Sequence, residues 1–199
     1  MGKLIVIEGT DGSGKSTQFK ALTERLRNEG TNFKTLVFPQ YSEPSSALIR
    51  MYLGGEFGTK PSDVNAYAAS AFYAVDRYAS YKQDWGQWYE DGGLVLSDRY
   101  TTSNAIHQMT KCPEEEWDTF LAWLEDYEYN LLGLPRPDCV IFLDMPIEVS
   151  QKLLEKRYCG EAEKKDIHER DVEYLYACRR AGLYAAKKLG WTVLPCGDG

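Results

Sequence analysis

The sequence predicts an α/β fold in three layers, a five-stranded parallel sheet between helices, from three observations. Short apolar runs recur at 4–7, 35–38, 94–97, 139–143 and 191–194. Longer helical stretches separate them, near 15–29, 45–53, 62–90, 100–131 and 146–188, some of them broken. The first run leads directly into the glycine-rich turn Gly9-Thr10-Asp11-Gly12-Ser13-Gly14-Lys15-Ser16-Thr17. Runs that are brief, β-branched and apolar nearly throughout suit strands covered on both faces of a parallel sheet. Their alternation with helices gives a doubly wound arrangement.

Taken in order, the first run and its glycine turn open the helix at 15–29. The next run ends in Phe38-Pro39. Between 62 and 81, Val64, Tyr67, Ala68, Ala71, Phe72, Val75 and Tyr78 recur at three- and four-residue spacing. That period predicts a helix with this stripe toward the core. Tyr73 and Arg77 stand four apart, on a face outside the stripe. The runs at 94–97 and 139–143 each finish on a carboxylate, Asp98 and Asp144. Segments 54–61 and 159–166 read as loops. With no repeat, low-complexity tract or linker, residues 1–199 read as one domain.

Composition narrows the class. The 199 residues carry 23 Lys+Arg against 30 Asp+Glu, a net charge of −7. At 43% hydrophobic and 27% charged the usage is globular, which excludes wholesale disorder. A net negative chain is a poor coat for nucleic acid. No apolar run approaches the length of a membrane span, and the N-terminus carries no signal-peptide pattern. The five cysteines are scattered, without a C-x-x-C pair, so neither a disulfide framework nor a zinc knuckle is indicated. The expectation is a cytoplasmic protein with reduced thiols.

The turn at 9–17 fits G-x-x-x-x-G-K-[ST] in its required context, after a strand and before a helix. Glycines let successive N–H groups converge on phosphate oxygens, and the helix adds its positive N-terminal end. Lys15 can reach the β and γ phosphates, and the Ser16 hydroxyl can ligate Mg²⁺. The motif is therefore a P-loop, and the fold a P-loop sandwich. No N-K-x-D sequence occurs, against a GTPase switch. Either Asp98 or Asp144 can serve as the carboxylate on the metal side. Asp98-Arg99-Tyr100 places an acid and a guanidinium at a strand's carboxyl end, where such sheets bind ligands. An arginine fork suits a second phosphate.

With these residues in hand, the chain resembles the thymidylate kinase family over almost its whole length. Gly9 to Thr17 is similar to that family's P-loop, and Phe38-Pro39 to the pair after its second strand. Phe72 to Arg77 is similar to its aromatic-x-x-x-Arg helix, and Asp98-Arg99-Tyr100 with Ser103 to its D-R-Y-x-x-S stretch. Pro137 to Asp144 is similar to its P-D-x-x-x-x-L-D strand.

The resemblance implies ATP-dependent phosphorylation of dTMP to dTDP, with Mg²⁺. Gly12, Ser13, Gly14, Lys15, Ser16 and Thr17 would hold the donor phosphates. Asp11 would hold the deoxyribose 3′-hydroxyl and help orient the acceptor. Tyr73 would stack on thymine and Arg77 would bond its edge. Phe38, Ser103, Asn104, His107 and Gln108 would complete the pocket. Arg99 would bind the acceptor phosphate, and Ser16 and Asp98 would position Mg²⁺, the latter through water. Asp144, at the family's fourth-strand Asp, would be structural. Homodimerisation through the apolar face of 62–81 and its neighbours is also implied.

Some positions depart from the pattern. Gly12 stands where one branch of the family carries arginine, so transition-state cations would come from a short lid around 157–168. Its basic residues are Lys156, Arg157, Lys164 and Lys165, and Arg157 is also where the family packs an arginine on adenine. Tyr41 stands where an arginine often grips the acceptor phosphate, making Arg50 the substitute. His168 resembles a lid-exit pattern. Lys15, Arg50, Arg77, Arg99 and Arg157 are thus expected to converge on one cleft, despite the net negative charge. The family ordinarily continues past the last strand into a closing helix, so an end at Gly199 reads as a short or truncated version. The alternatives are another nucleoside monophosphate kinase, a P-loop deoxynucleoside kinase that needs a base such as Glu8 or Asp98, and a non-catalytic nucleotide-binding regulator.

Overall fold

The computed structural model describes residues 1–158 and 172–197, with every side chain among them except those of 61 and 155–158. The elements run β1 (Lys3–Gly9), α1 (Lys15–Asn28), β2 (Phe33–Val37), α2 (Ala47–Leu53), α3 (Ala66–Ser80) and α4 (Gly86–Glu90). They continue with β3 (Leu94–Asp98), α5 (Thr102–His107), α6 (Trp117–Glu125), β4 (Cys139–Asp144), α7 (Ile147–Tyr158), α8 (Val172–Leu189) and β5 (Thr192–Pro195). Of the lid expected at 157–168, Arg157 and Tyr158 end α7, and the rest, with Lys164, Lys165 and His168, lies outside the described residues, as do the side chains of Lys156 and Arg157.

The five strands are parallel, in the order β2-β3-β1-β4-β5. β1 therefore has β3 on one side and β4 on the other. The connection after β1 runs to β2 on the β3 side, whereas the one after β3 crosses to β4 on the other side, and this reversal opens a crevice at the strands' carboxyl ends. Register levels Ile7 with Asp98 across one ladder and with Ile141 across the other. The acid that ends β3 is thereby fixed beside the turn that follows β1.

The central strands are covered on both faces: Leu4, Val6, Val95, Leu96, Val140 and Phe142 are all buried. The edge strands differ from the sequence expectation. Val37 on β2 and Leu194 on β5 are 54% and 44% exposed, because an edge strand has a hydrogen-bonded neighbour on one side only.

The stripe assigned to the core of the 62–81 helix also needs correction. α3 buries Ala66, Ala69, Ser70, Ala74, Asp76, Arg77 and Ser80, while Tyr67, Val75 and Tyr78 of the apolar stripe are exposed. The inward face is small and polar because it has partners to satisfy. Asp76 accepts from the Gln40 backbone N–H at 2.9 Å and the Ser45 hydroxyl at 2.6 Å. Periodicity reveals which residues share a face, and it is silent on whether the same chain covers that face.

The stretch near 100–131 divides into α5, α6 and a π-helical turn at Asp126–Leu131. That turn swings Glu128 fully into the interior.

Candidate active site

The P-loop is shaped by its glycines. Gly12 and Gly14 have φ of 76° and 83°, in the left-handed region that side chains disfavour. A Cβ on Gly12 would also stand 2.8 Å from the Ser150 carbonyl oxygen and 2.9 Å from Leu154 Cγ, both on α7. Lys15, buried at the start of α1, donates from Nζ to the carbonyls of Gly9 and Thr10 at 2.8 Å each. Burial, with Arg99 nearby, pushes its ammonium down to about 8, against the pull of Asp11, Asp98 and Glu8.

Two hydroxyls in the same turn, Thr10 Oγ1 and Ser13 Oγ, are buried without a hydrogen-bond partner. Buried polar atoms ordinarily find partners, and phosphate oxygens of a nucleotide suit this donor-rich turn. Ser16 Oγ lies 3.5 Å from Asp98 Oδ2, at the limit of a hydrogen bond. A magnesium ion on nucleotide phosphates keeps several waters and takes only one or two protein oxygens, so this pair fits one. Among the described residues no cluster of three or more His, Cys, Asp or Glu forms a separate metal site.

Beside the P-loop opens a cleft with a volume of about 90 Å³. Asp11, Phe38, Tyr73, Arg77, Arg99, Ser103, Asn104, His107 and Gln108 all line it, so the structure gathers nearly the whole set proposed for the acceptor. Pro39, Tyr41, Leu53 and Tyr100 complete the wall. Arg50 is not part of it. Its guanidinium instead donates to the Tyr41 and Glu43 carbonyls, at 2.8 and 3.1 Å, and to Ser46 Oγ at 2.5 Å. It braces the 41–46 segment that carries Tyr41.

Arg99 is the centre of the cleft's charge. Its backbone stands at φ 67° and its N–H donates to the Ile7 carbonyl at 3.1 Å, which fastens it to β1. From the side chain, Nη2 pairs with Asp11 Oδ1, and Nη1 reaches His107 Nε2 at 3.0 Å and Ser103 Oγ at 3.4 Å. Burial works against its charge, but Asp11, Glu8 and Asp98 outweigh it and raise the guanidinium's pKa. Arg77 is fully interior, paired at two points with Glu128, and Asn104 Nδ2 donates to the same carboxylate at 3.0 Å.

Glu8, the last side chain before the P-loop glycine, is also fully buried. It accepts from the Tyr100 N–H at 3.2 Å and from Thr102 and Ser103 hydroxyls at 2.7 and 2.9 Å. Burial pushes its carboxyl up, and Arg99 and these donors pull against that. A carboxylate occupied by three donors ties the start of α5 to β1 and is poorly free to serve as a base.

Against known proteins, the model of the family "Thymidylate kinase" matches residues 7–194. The chain belongs to the thymidylate kinase family. The thymidylate kinase of Mycobacterium tuberculosis (strain ATCC 25618 / H37Rv) is 35% identical over 178 residues, covering 85% of this chain and 79% of the relative. That of Rhodopirellula baltica is 29% identical over 182 residues, 92% of this chain and 68% of its own. Among solved structures, thymidylate kinase from Candida albicans superposes with a TM-score of 0.72 at 22% identity. It covers 99% of this chain and 84% of its own length, and that likeness carries the fold. The thymidylate kinase assignment makes the chain a nucleotide-binding kinase and favours thymidylate phosphorylation over the other acceptors considered.

Two features of this thymidylate kinase site were not visible in the sequence. Glu128 comes from a turn 51 residues beyond its partner Arg77, with no motif around it. The Asp11–Arg99 pair joins two residues that sequence reasoning assigned separately, to a sugar hydroxyl and to a phosphate. The strand register that levels the two loops was the only available signal.

Proposed function

We propose that this chain transfers the γ-phosphoryl group of ATP to the phosphate of dTMP, giving dTDP and ADP. The observation that carries the reading is the cleft itself. An aromatic ring (Tyr73), a base-edge guanidinium (Arg77) and a phosphate-sized cation (Arg99) line one cavity that meets the P-loop at Asp11.

In this reading Gly12 to Thr17 cradle the donor phosphates, and Lys15 exchanges its two carbonyl partners for phosphate oxygens. Arg99 takes the acceptor phosphate, Tyr73 stacks on thymine, and Phe38, Ser103, Asn104, His107 and Gln108 shape the rest. Asp11 supports the acceptor sugar and holds Arg99. Mg²⁺, held by Ser16 and Asp98 partly through water, supplies charge neutralisation on the donor phosphates. Arg157 is proposed as the lid cation from its sequence position. An oxygen of the acceptor phosphate attacks Pγ, and the bond to the β-γ bridging oxygen breaks with its electrons leaving on ADP. No general base is needed, because a phosphate monoester is already a nucleophile at neutral pH. Catalysis is positioning and charge stabilisation.

The exposed stripe Tyr67, Val75 and Tyr78 is proposed as the face of a homodimer, and the compartment as the cytoplasm. A P-loop deoxynucleoside kinase is disfavoured by the occupied Glu8 carboxylate. A coupled ADP-release assay across dTMP, dUMP, dGMP, dCMP and thymidine tests the acceptor. We expect dTMP to stimulate most. Preference for thymidine, or stimulation by none, overturns the reading.

A further inference from the structure

We infer that Asp76 is a positioning residue for the phosphate end of the acceptor cleft, acting through the chain segment 40–45; this rests on the acceptor reading above. Asp76 is 1% exposed on the inward face of α3, directly before Arg77, and does not itself line the cleft. Each of its oxygens takes one neutral donor. Oδ2 accepts from the Gln40 backbone N–H at 2.9 Å, and Oδ1 from the Ser45 hydroxyl at 2.6 Å. One buried carboxylate thus grips both ends of the segment between them.

The segment reaches the site through Tyr41. Tyr41 lines the cleft beside Pro39, and it is one of the groups that act electrostatically on the Arg99 guanidinium. Arg99 is the cation assigned to the acceptor phosphate, so the segment walls that end of the cleft. α3 carries Tyr73 and Arg77, the residues assigned to the base. Asp76 therefore joins the two ends: the helix that receives the base also sets where the phosphate-side wall stands. A nucleoside monophosphate has to satisfy both ends at once, and this carboxylate fixes the spacing between them.

The other bonds of the segment do not set that spacing. Arg50 holds the carbonyls of Tyr41 and Glu43, but it belongs to α2, the helix that directly continues the same stretch of chain. Its bonds give the segment its shape and move with it. α2 meets α3 through the rings of Tyr52 and Phe72, an apolar contact without the directionality of a hydrogen bond. Gln40 Nε2 also donates to Ser80 Oγ on α3 at 2.9 Å, from the end of a side chain that can rotate. Asp76 is the tie that reaches the segment's backbone. Removing the carboxylate leaves the Gln40 N–H and the Ser45 hydroxyl to find water, which draws the segment away from the helix.

Calorimetric titration with dTMP and with thymidine separates the two ends, because thymidine keeps the base and lacks the phosphate. Asp76→Ala should weaken dTMP about tenfold, the worth of two modest hydrogen bonds, and thymidine by less than about twofold. Ser45→Ala removes one of the two bonds, so it should weaken dTMP about threefold and leave thymidine unchanged. It carries the test should the alanine variant at 76 unfold. Asp76→Asn should restore most of the affinity, since its Oδ1 can accept from Gln40 and its Nδ2 can donate to Ser45 Oγ. dTMP and thymidine weakened by the same factor, or neither weakened, overturns the inference. So does an asparagine variant that still loses about tenfold for dTMP. Without any ligand, the Gln40 amide should exchange slowly with solvent in the wild-type protein and faster in Asp76→Ala. A Gln40 amide unprotected in the wild type overturns the inference by itself. Failure of the wild-type chain to bind dTMP overturns the acceptor reading and this inference with it, and the ligand-free amide measurement tells that failure from the absence of the tie.

Discussion

Arg77 and Glu128 close a two-point ion pair in the interior, Nε to Oε2 at 2.7 Å and Nη2 to Oε1 at 2.5 Å. Their side chains are 2% and 0% exposed, so neither charge has water to fall back on. Removing one partner strands the other. Arg77→Ala should cost about 3–5 kcal/mol of stability, and Glu128→Ala a similar amount. Urea unfolding measures both. The pairing also freezes the guanidinium where it lines the cleft, so Arg77→Ala should harm dTMP affinity more than ATP affinity. Equal losses would make Arg77 purely structural.

Lys15→Ala should lower kcat by several orders of magnitude, the scale of a group that stabilises charge in the transition state. Single-turnover kinetics at saturating ATP and dTMP separates this from weaker binding. Near-normal turnover would sink the proposed mechanism.

The lowered Lys15 pKa gives that residue a pH signature. In the free enzyme its ammonium loses a proton as pH rises through about 8, so kcat/KM for ATP should fall above that value. Bound phosphates favour the charged form, so the limb in kcat should lie higher. Stability moves the other way. Between about 8 and the ordinary value of 10.5 the unfolded chain holds the proton that the folded one has lost, so this residue's contribution to stability rises with pH. A kcat/KM profile flat to pH 10 would contradict the assignment.

Gly12→Arg should reduce kcat rather than supply the cation found there in one branch of the family. A side chain at that position meets Ser150 and Leu154 and needs a disfavoured φ of 76°. Gly12→Ala isolates the steric part, and a destabilisation of about 1–3 kcal/mol is expected on thermal unfolding. An unchanged melting temperature in Gly12→Ala would show that α7 gives way.

Val75→Glu places a charge in the exposed stripe of α3 without touching a buried group. It should convert a dimer to a monomer in light scattering while leaving the monomer folded. A wild-type chain that is already monomeric at micromolar concentration refutes the proposed interface.

Local signals were legible where chemistry and backbone coincide. The P-loop announces itself because its glycines, lysine and flanking strand are contiguous, and the strands because burial makes them apolar along their length. Asp98-Arg99 was legible as a strand end. What depends on distant partners was not. The α3 stripe reads as inward from the sequence because an apolar period looks alike against a core and on an open face. Nothing near Arg50 in the sequence reveals the carbonyls of Tyr41 and Glu43 to which it donates. Glu128 lies in a helical stretch whose inward residues are fixed only once the turns between helices are known.

The position of Arg99 between Asp11 and His107 changes how a chain of net charge −7 can receive a dianion. The arginine is already neutralised locally, so an arriving monophosphate trades places with a carboxylate oxygen instead of meeting a bare cation. Capture of that kind leans on fit inside the cleft and little on long-range attraction. The overall excess of acid then hardly slows the encounter, and ionic strength should alter it only weakly.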